Sequence, residues 1–247
     1  MQVNKILISL NTPAAMAPYE TLTEKYGVNF TFSPFYKIEK LSSIEMRAQH
    51  FNISDYSAVV FSSRTTIDAF FQLCEELRMK VSEDLKYFCT NDKVAMYLQK
   101  HIVYRKRKIF YGDGTPSSVI GLITPKHKED NFLIVTADSP VSSLTRAFDA
   151  TPYKHQSMVF AKSVSSDMSA TNPADYDMLV VYNKADVASL KENFPDFVQG
   201  DTALIVYGGE PIRKAATDAG LSISLSAPNP ECKSVIQAIE QYLQAHN

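Results

Sequence analysis

Residues that can hold an anion recur at the turns that follow the apolar runs of this 247-residue chain. These turns are rich in Ser, Thr, Asn and Gly, whose hydroxyl, amide and backbone N–H groups donate hydrogen bonds. A turn that opens a helix also offers the positive end of the helix dipole to a negatively charged group. The same residue types cap helices without binding any ligand, so both interpretations stay open for each turn. The candidate ligand-binding residues are Ser63, Arg64, Thr65, Thr90, Asn91, Asn183, Gly208, Gly209 and Glu210.

Carboxylates and cations in the turns give few further candidates for chemistry. Asp92, Asp113 and Glu210 could act as acids or bases, although loop carboxylates are more often simply solvated. The basic run at 104–108 could attract a polyanion, or it could be the solvated start of a strand.

Sequence motifs that would bind a cofactor are missing. GDGTPSS at 112–118 has glycines but lacks the lysine that would hold a nucleotide phosphate. The histidines and cysteines show no metal-ligand spacing, and no Gly-x-Gly-x-x-Gly or Gly-x-Ser-x-Gly occurs. We therefore expect no cofactor and no metal site.

These turns must be positioned by the segments on either side of them. Along the chain, apolar runs alternate with segments whose apolar residues are spaced as in a helix. Most runs are apolar on both faces, which is typical of strands that helices cover on both sides of a parallel sheet. The predicted strands are 5–10, 29–32, 58–61, 86–89, 108–111, 132–135, 178–182, 203–207 and 222–225, and the predicted helices include 66–77, 92–100 and 211–219. This alternation predicts a doubly wound α/β fold.

The sequence contains an internal repeat. Residues 55–70 read DYSAVVFSSRTTIDAF, and residues 175–190 read DYDMLVVYNKADVASL, which aligns Ser63 with Asn183 without a gap. A second pair follows in the same order, SSVIGLI at 117–123 and KSVIQAI at 233–239. A period above a hundred residues is too long for a solenoid unit, so it indicates two related domains.

The position of the repeat indicates how the two domains share the chain. We expect residues 1–34 and 167–247 to form one discontinuous α/β domain and residues 41–157 to form a second. Segments with β propensity at 35–40 and 158–166 would cross between them. The predicted fold class is therefore α/β, with two similar doubly wound parallel-sheet domains, a two-stranded β linker and a ligand cleft between the domains.

Composition limits the class of protein. The net charge is −2, whereas nucleic-acid binders usually carry a strong basic excess. Three widely spaced cysteines suit a reducing compartment. The apolar run near the N-terminus is too short for a signal peptide, and no run is long enough to span a membrane. We expect a cytoplasmic monomer that binds neither nucleic acid nor membrane.

Over nearly its full length the sequence resembles the uroporphyrinogen-III synthase family, in particular its Bacteroidetes branch. The resemblance rests on AVVFSSRTTIDAFF at 58–71, YDMLVVYNKADVASL at 176–190, VYGGEPIRKAATDAGL at 206–221 and APNPECKSVIQAI at 227–239. The run KYFCTNDKVAMYLQKHIVYRKRKIFYGDGT at 86–115 is similar to the Bacteroidetes members.

The resemblance implies a cofactor-free hydro-lyase of tetrapyrrole, or haem, biosynthesis. The family takes hydroxymethylbilane, a linear tetrapyrrole with eight carboxylates, inverts its last ring and closes the macrocycle with loss of water. Loss of the terminal hydroxyl gives an azafulvene cation, so folding and positioning the substrate can supply much of the catalysis. The implied partner is therefore this small-molecule substrate.

Several positions depart from the family pattern. The family has a tyrosine in the second crossing that is proposed to assist loss of the hydroxyl, and the matching position here is Phe160. A serine of the duplicated turn is Asn183, and Glu210 adds a negative charge where a polycarboxylate should bind. The alternatives are a divergent, non-catalytic paralogue that binds a tetrapyrrole or another polyanion, and a hinge-type small-molecule receptor. We expect Phe160 to limit hydroxyl departure.

Overall fold

The structure, a computed structural model, describes residues 2–246. The strands are β1 (Lys5–Ile8), β2 (Asn29–Phe32), β3 (Tyr36–Lys40), β4 (Ala58–Phe61), β5 (Lys86–Cys89), β6 (Ile109–Tyr111), β7 (Phe132–Ala137), β8 (His155–Ser165), β9 (Met178–Val181), β10 (Ala203–Tyr207) and β11 (Leu225–Ala227). The α-helices are α1 (Ala17–Tyr26), α2 (Ser43–Ala48), α3 (Arg64–Glu76), α4 (Asp92–Tyr97), α5 (Pro116–Gly121), α6 (Ser143–Asp149), α7 (Lys184–Asn193), α8 (Glu210–Asp218) and α9 (Val235–His246).

The chain divides into two compact units. Unit 1 comprises the residues up to Lys37 and those from Val164 onward, and unit 2 is Ile38–Ser163. Both boundaries fall inside the segments that the sequence marks as crossings, 35–40 and 158–166. Each unit is an α/β domain with its own sheet, which confirms the prediction of two α/β domains built on largely parallel sheets.

Unit 1 is built on a five-stranded parallel sheet in the order β11-β10-β9-β1-β2. Its central strands are apolar on both faces, because helices cover both sides. Alternate residues supply two separate cores: Ile6 and Val180 belong to one, and Leu7 and Leu179 to the other.

Unit 2 has a six-stranded sheet in the order β3-β8-β7-β4-β5-β6. Strands β4 to β8 in this sheet are parallel to their neighbours. Again two cores lie on opposite faces: Val59 and Phe61 point into one, and Ala58 and Val60 into the other. The carboxyl ends of the parallel strands therefore meet at one edge of each sheet.

The crossing segments are strands of the unit 2 sheet as well as connections. Strand β8 begins at His155 and pairs in parallel with β7 along most of its length, so it is an interior strand of the unit 2 sheet as well as a connection. The backbone N–H of Leu41 donates to Phe160, and that of Ser166 donates to Phe35. The later residue of the first segment thus bonds the earlier residue of the second, and the earlier residue bonds the later one. This order shows that β3 and β8 run antiparallel.

The repeat in the sequence is a repeat in structure. A short 3₁₀ turn precedes both β4 and β9, and each turn is capped by an asparagine, Asn52 in unit 2 and Asn172 in unit 1. The strand that follows lies in the interior of its sheet, and a side chain then caps the next helix: Ser63 caps α3 and Asn183 caps α7.

Some predicted boundaries are wrong at the ends of elements. The last strand was expected at 222–225, but β11 starts at Leu225. The Gln199 amide bonds both the N–H and the C=O of Ser222, at 2.8 Å each, and the Ser224 hydroxyl accepts from the N–H of Leu204 at 3.1 Å. Side chains thus take the bonds that a longer strand would have made. Across residues 2–246, no helix is long and apolar enough to cross a lipid bilayer.

Candidate functional site

In unit 2, polar turns follow β4 and β5 at the same edge of the sheet. The Ser63 hydroxyl accepts from the N–H of Thr66 at 3.2 Å and so caps α3, which leaves Arg64 and Thr65 exposed in its first turn. The Thr90 hydroxyl donates to the C=O of Ser62 at 3.3 Å. This bond holds the two turns side by side.

The turn after β5 also fixes the glycine-rich segment at 112–118. Asn91 caps α4 by accepting from the N–H of Val94 at 3.0 Å, and Gly114 donates its N–H to the C=O of Thr90 at 2.8 Å. A Cβ on Gly112 would lie 2.1 Å from the Ser118 hydroxyl, so only glycine fits at that position. Unit 2 therefore brings Ser63, Arg64, Thr65, Thr90 and Asn91 to one edge.

Unit 1 places Asn183, Gly208, Gly209 and Glu210 at the matching edge of its own sheet. Gly208 follows β10 with φ of +156°, and a Cβ there would lie 2.3 Å from Cδ1 of Ile212. Gly209 caps α8 without a side chain, so this helix start lacks the capping oxygen that other helices have. The backbone N–H groups at the start of α8 are therefore less covered by side chains than those of α3, α4 and α7, and an anion can approach them more closely.

The charge of Glu210 is offset by a residue that sequence reasoning missed. Arg213 lies one turn further along α8, and its Nη2 is 2.6 Å from Oε2 of Glu210. Glu210 is exposed and Arg213 is half-buried, so solvent screens the pair and it contributes little to stability. It does correct the expectation that Glu210 places an uncompensated negative charge at this turn. The i, i+3 spacing of the two residues was the available signal.

A buried carboxylate organises the unit 1 edge, and it too was missed. Asp186 is fully buried in the first turn of α7. It accepts from the Ser9 hydroxyl at 2.6 Å and from the backbone N–H groups of Tyr182 and Asn183 at 2.8 Å each. Burial raises the pKa of Asp186, and these three hydrogen bonds oppose that rise. The capping-box spacing from Asn183 to Asp186 was the sequence signal.

The start of the first crossing is tied to the same carboxylate. The backbone N–H of Phe35 donates to the Ser9 hydroxyl at 3.0 Å, and Ser189 donates to the C=O of Phe35. The next residue, Tyr36, accepts from the side-chain amide of Asn183, with 3.0 Å between Oη and Nδ2. Sequence reasoning did not single out Tyr36, because a tyrosine at the start of a strand is usually a packing residue.

Phe160 does not lie where the sequence placed it. Its side chain is fully buried in the unit 2 core, with its ring 5.1 Å from that of Phe51 and 5.6 Å from that of Phe70. The pairing of β8 with β7 shifts by one residue between Val159 and Ala161. Met158 and Phe160 face the same core by the ordinary alternation of a strand, and the shift adds Ala161 to that core, so the expectation that Phe160 lies beside the ligand is corrected.

The remaining charged candidates have structural partners. Hydrogen bonds from Thr115 lower the pKa of Asp113, whose Oδ1 accepts from the Thr115 hydroxyl at 2.7 Å. Asp92 accepts from the N–H of Lys93 at 2.8 Å. Asp113 is not arranged as a general acid, because the ionised form is the one that its donors stabilise.

The basic run at 104–108 precedes β6 and so lies at the opposite edge of the unit 2 sheet from the polar turns. Arg105 is 2.9 Å from Glu83 and Lys108 is 2.7 Å from Asp84. Both cations line a cavity of about 290 Å³ that opens at that edge. Because acidic residues already pair with them, these two cations give no free site for a polyanion.

We expect alanine at Ser63 or Asn183 to weaken function only modestly. Each side chain supplies a helix cap, and losing one hydrogen bond is typically worth about 0.5–1.5 kcal/mol, or roughly 2- to 10-fold in rate. The measurement is turnover of each variant beside wild type. Loss of all activity in Asn183→Ala, with an unchanged circular dichroism spectrum, would contradict the view that binding depends mainly on backbone amides.

The chain is similar to known proteins in both sequence and structure. A family model described as uroporphyrinogen-III synthase HemD matches residues 17–237. No curated protein matches the chain by sequence. The solved uroporphyrinogen-III synthetase of Helicobacter pylori 26695 is 14% identical with a TM-score of 0.55, and the match covers 98% of this chain and 99% of that one. A mutant uroporphyrinogen III synthase of the extremely thermophilic bacterium Thermus thermophilus is 13% identical with a TM-score of 0.48, and the match covers 98% of both chains. The Helicobacter structure supports the fold.

Proposed function

The chain belongs to the uroporphyrinogen-III synthase family, and from this premise we propose that it converts hydroxymethylbilane to uroporphyrinogen III. The reaction inverts the last ring of the linear tetrapyrrole and closes the macrocycle with loss of water. The observation that carries this proposal is the family match, which spans nearly the whole chain.

The polar edge of each sheet offers groups that can bind carboxylates. Turns after β4 and β5 in unit 2, and after β9 and β10 in unit 1, each open a helix at its N-terminus. An anion at a helix N-terminus gains typically about 0.3–1 kcal/mol from the dipole. Several such contacts can hold the acetate and propionate groups, while hydroxyl and amide side chains supply further donors.

Such a site acts mainly by positioning. The bond that must form joins two ends of one flexible molecule, so holding those ends together removes most of the entropic barrier. Ser63, Thr90 and Asn183 are neutral, and they bind carboxylates without forming a covalent intermediate. The proton that the departing hydroxyl requires must still come from an acidic group.

The test supplies hydroxymethylbilane enzymatically and separates the isomers of the oxidised product. Spontaneous closure gives uroporphyrinogen I, so formation of the III isomer in proportion to added protein supports the proposal. A protein that binds the tetrapyrrole but leaves only the I isomer would be the non-catalytic paralogue instead.

We expect the activity to persist without a metal, nucleotide or flavin. Among residues 2–246, no group of three or more His, Cys, Asp and Glu side chains is arranged to hold a metal ion. Removal of the hydroxyl needs a proton, which an organic side chain can supply. The measurement is III-isomer formation after dialysis against a chelator, with untreated protein as control. Inhibition that zinc or magnesium reverses would contradict this prediction.

The cellular setting is part of the proposal. Cys74, Cys89 and Cys232 are buried and free, which suits a reducing cytoplasm. Burial raises the pKa of Cys74 and of Cys89 to about 12 each, so neither thiol is reactive. We expect a monomer in the cytoplasm, which size-exclusion chromatography with light scattering would test for oligomeric state.

A further inference from the structure

Departure of the substrate hydroxyl needs a proton donor, and this inference about its identity rests on the proposed function. Hydroxide is a poor leaving group, so the C–O bond breaks more easily when a proton reaches the oxygen as it leaves. The donor must lie among the polar turns, because that is where the substrate carboxylates are held. It must also carry a proton at neutral pH.

Most polar groups at the unit 1 edge do not meet these requirements. The side-chain amide of Asn183 does not give up its protons. Asp186 is fully buried and accepts three hydrogen bonds, so its carboxylate faces the protein. The Glu210 carboxylate is already paired with Arg213 of its own helix, with 2.6 Å between Oε2 and Nη2.

Phenols at the same edge differ in their surroundings. Tyr207 ends β10 and donates its hydroxyl to the C=O of Lys233 at 3.1 Å. Tyr182 follows β9, and its hydroxyl oxygen is buried, with its ring packed against that of Tyr207. Tyr36, by contrast, is half-buried, and its hydroxyl contacts the exposed side chain of Asn183. Its phenol is therefore at the surface of the turn.

The hydrogen bond between Asn183 and Tyr36 has a defined direction. The amide oxygen of Asn183 accepts from the N–H of Ala185 at 3.3 Å, because it caps α7. This contact turns the NH₂ group toward Tyr36, whose oxygen accepts it at 3.0 Å. A hydrogen bond donated to a phenolic oxygen stabilises the negative charge that appears there when the proton leaves.

One buried group fixes the backbone of Asn183 and, through Ser9, that of the residue before Tyr36. Asp186 accepts from the N–H of Asn183 and from the Ser9 hydroxyl, and Ser9 accepts from the N–H of Phe35. Phe35 directly precedes Tyr36. The same hydrogen-bond network therefore holds the backbone at Asn183 and next to Tyr36. This reduces how far the phenol and the amide must move during the reaction.

We propose that Tyr36 is the catalytic acid that protonates the departing hydroxyl, and that Asn183 is a positioning residue that orients the phenol. As the C–O bond breaks, its electron pair leaves with the oxygen, and the phenolic proton completes a water molecule. The electron pair of the pyrrole nitrogen forms the exocyclic double bond of the azafulvene cation. The tyrosinate takes back the proton that the ring carbon loses after the closing bond has formed. The net change is loss of one water.

The test compares Tyr36→Phe with wild type in the isomer assay. Removing a positioned acid typically lowers the rate about 10²- to 10⁴-fold, so we expect at least about a 100-fold loss of III-isomer formation. The loss should appear in kcat, with KM changed little, because phenylalanine keeps the ring. Tyr26→Phe is the matched control, because it also removes a phenol from unit 1. Tyr26 is the last residue of α1 and bonds Glu240, so its loss should leave the rate unchanged.

A second variant tests the role of Asn183 in orienting the phenol. Asn183→Ser keeps a capping oxygen for α7 but removes the amide that reaches Tyr36. Its rate should fall between those of wild type and Tyr36→Phe, and in Tyr36→Phe the same change should have no further effect on kcat. Additive losses in kcat would overturn the positioning role.

The outcomes separate this assignment from the proposed function. Wild type that forms the III isomer, with Tyr36→Phe within about threefold of it and folded by circular dichroism, would overturn the assignment of Tyr36 alone. Wild type that forms only the I isomer would overturn the proposed function and the assignment with it. A loss in Tyr36→Phe that appears in KM would show that the phenol only binds substrate.

Discussion

Replacing Asp186 by alanine is expected to lower the free energy of unfolding of unit 1 by about 3 kcal/mol or more. The substitution leaves three donors without their acceptor: the Ser9 hydroxyl and the N–H groups of Tyr182 and Asn183. Each buried donor that loses its partner costs about 1–3 kcal/mol. III-isomer formation should fall as well, because Asn183 and the segment that leads into Tyr36 lose the group that fixes their backbones.

Urea denaturation measures the change, and hydrogen exchange of the α7 amides assigns it to unit 1. Asp218→Ala is a matched control in the same unit, because Asp218 is exposed and pairs with Lys214 on the surface of α8. It should change the free energy of unfolding by no more than about 0.5 kcal/mol. An effect of Asp186→Ala as small as that of the control would show that the carboxylate does not organise the edge.

Replacing Phe160 by alanine is expected to lower the free energy of unfolding of unit 2 by about 3–5 kcal/mol, since a large aromatic side chain leaves a packed core. Phe160→Tyr should also destabilise, by about 1–3 kcal/mol, because the added hydroxyl would lie among the rings of Phe51 and Phe70. Neither variant should form the III isomer faster than wild type.

The Phe160 variants are measured by urea denaturation and by the isomer assay together. Val159→Ala is the control on the same strand, at a half-buried position whose truncation removes much less buried surface. A Phe160→Tyr protein of unchanged stability that formed the III isomer several times faster than wild type would contradict the structure. The ring would then face the substrate, as the sequence first indicated.

The sequence predicted the parts of the fold that depend on local pattern. Strands β2, β4, β5 and β10 lie where the apolar runs place them, and Ser63, Asn91 and Asn183 cap helices at the ends of strands. Both results follow from short-range physics, because burial on two faces and capping of a helix are decided within a few residues. The role of those capping residues in binding stays a prediction.

What the sequence could not predict depends on contacts between distant residues. Which face of β8 packs in the unit 2 core is set by its pairing with β7, and that pairing places the Phe160 ring against those of Phe51 and Phe70. Asp186 aligns with Thr66 in the repeat, and nothing local shows that the aspartate meets Ser9, 177 residues away. The contact between Tyr36 and Asn183, which are 147 residues apart, likewise leaves no signal in the local sequence.

The measurement that tests the central claim most directly is the isomer composition of the product as wild-type protein is added. Hydroxymethylbilane is generated continuously by a coupled enzyme, and the products are oxidised and separated. We predict that the III isomer replaces the I isomer as the protein concentration rises, until the III isomer predominates. Product that remains the I isomer at every protein concentration, with the chain folded, would contradict the account.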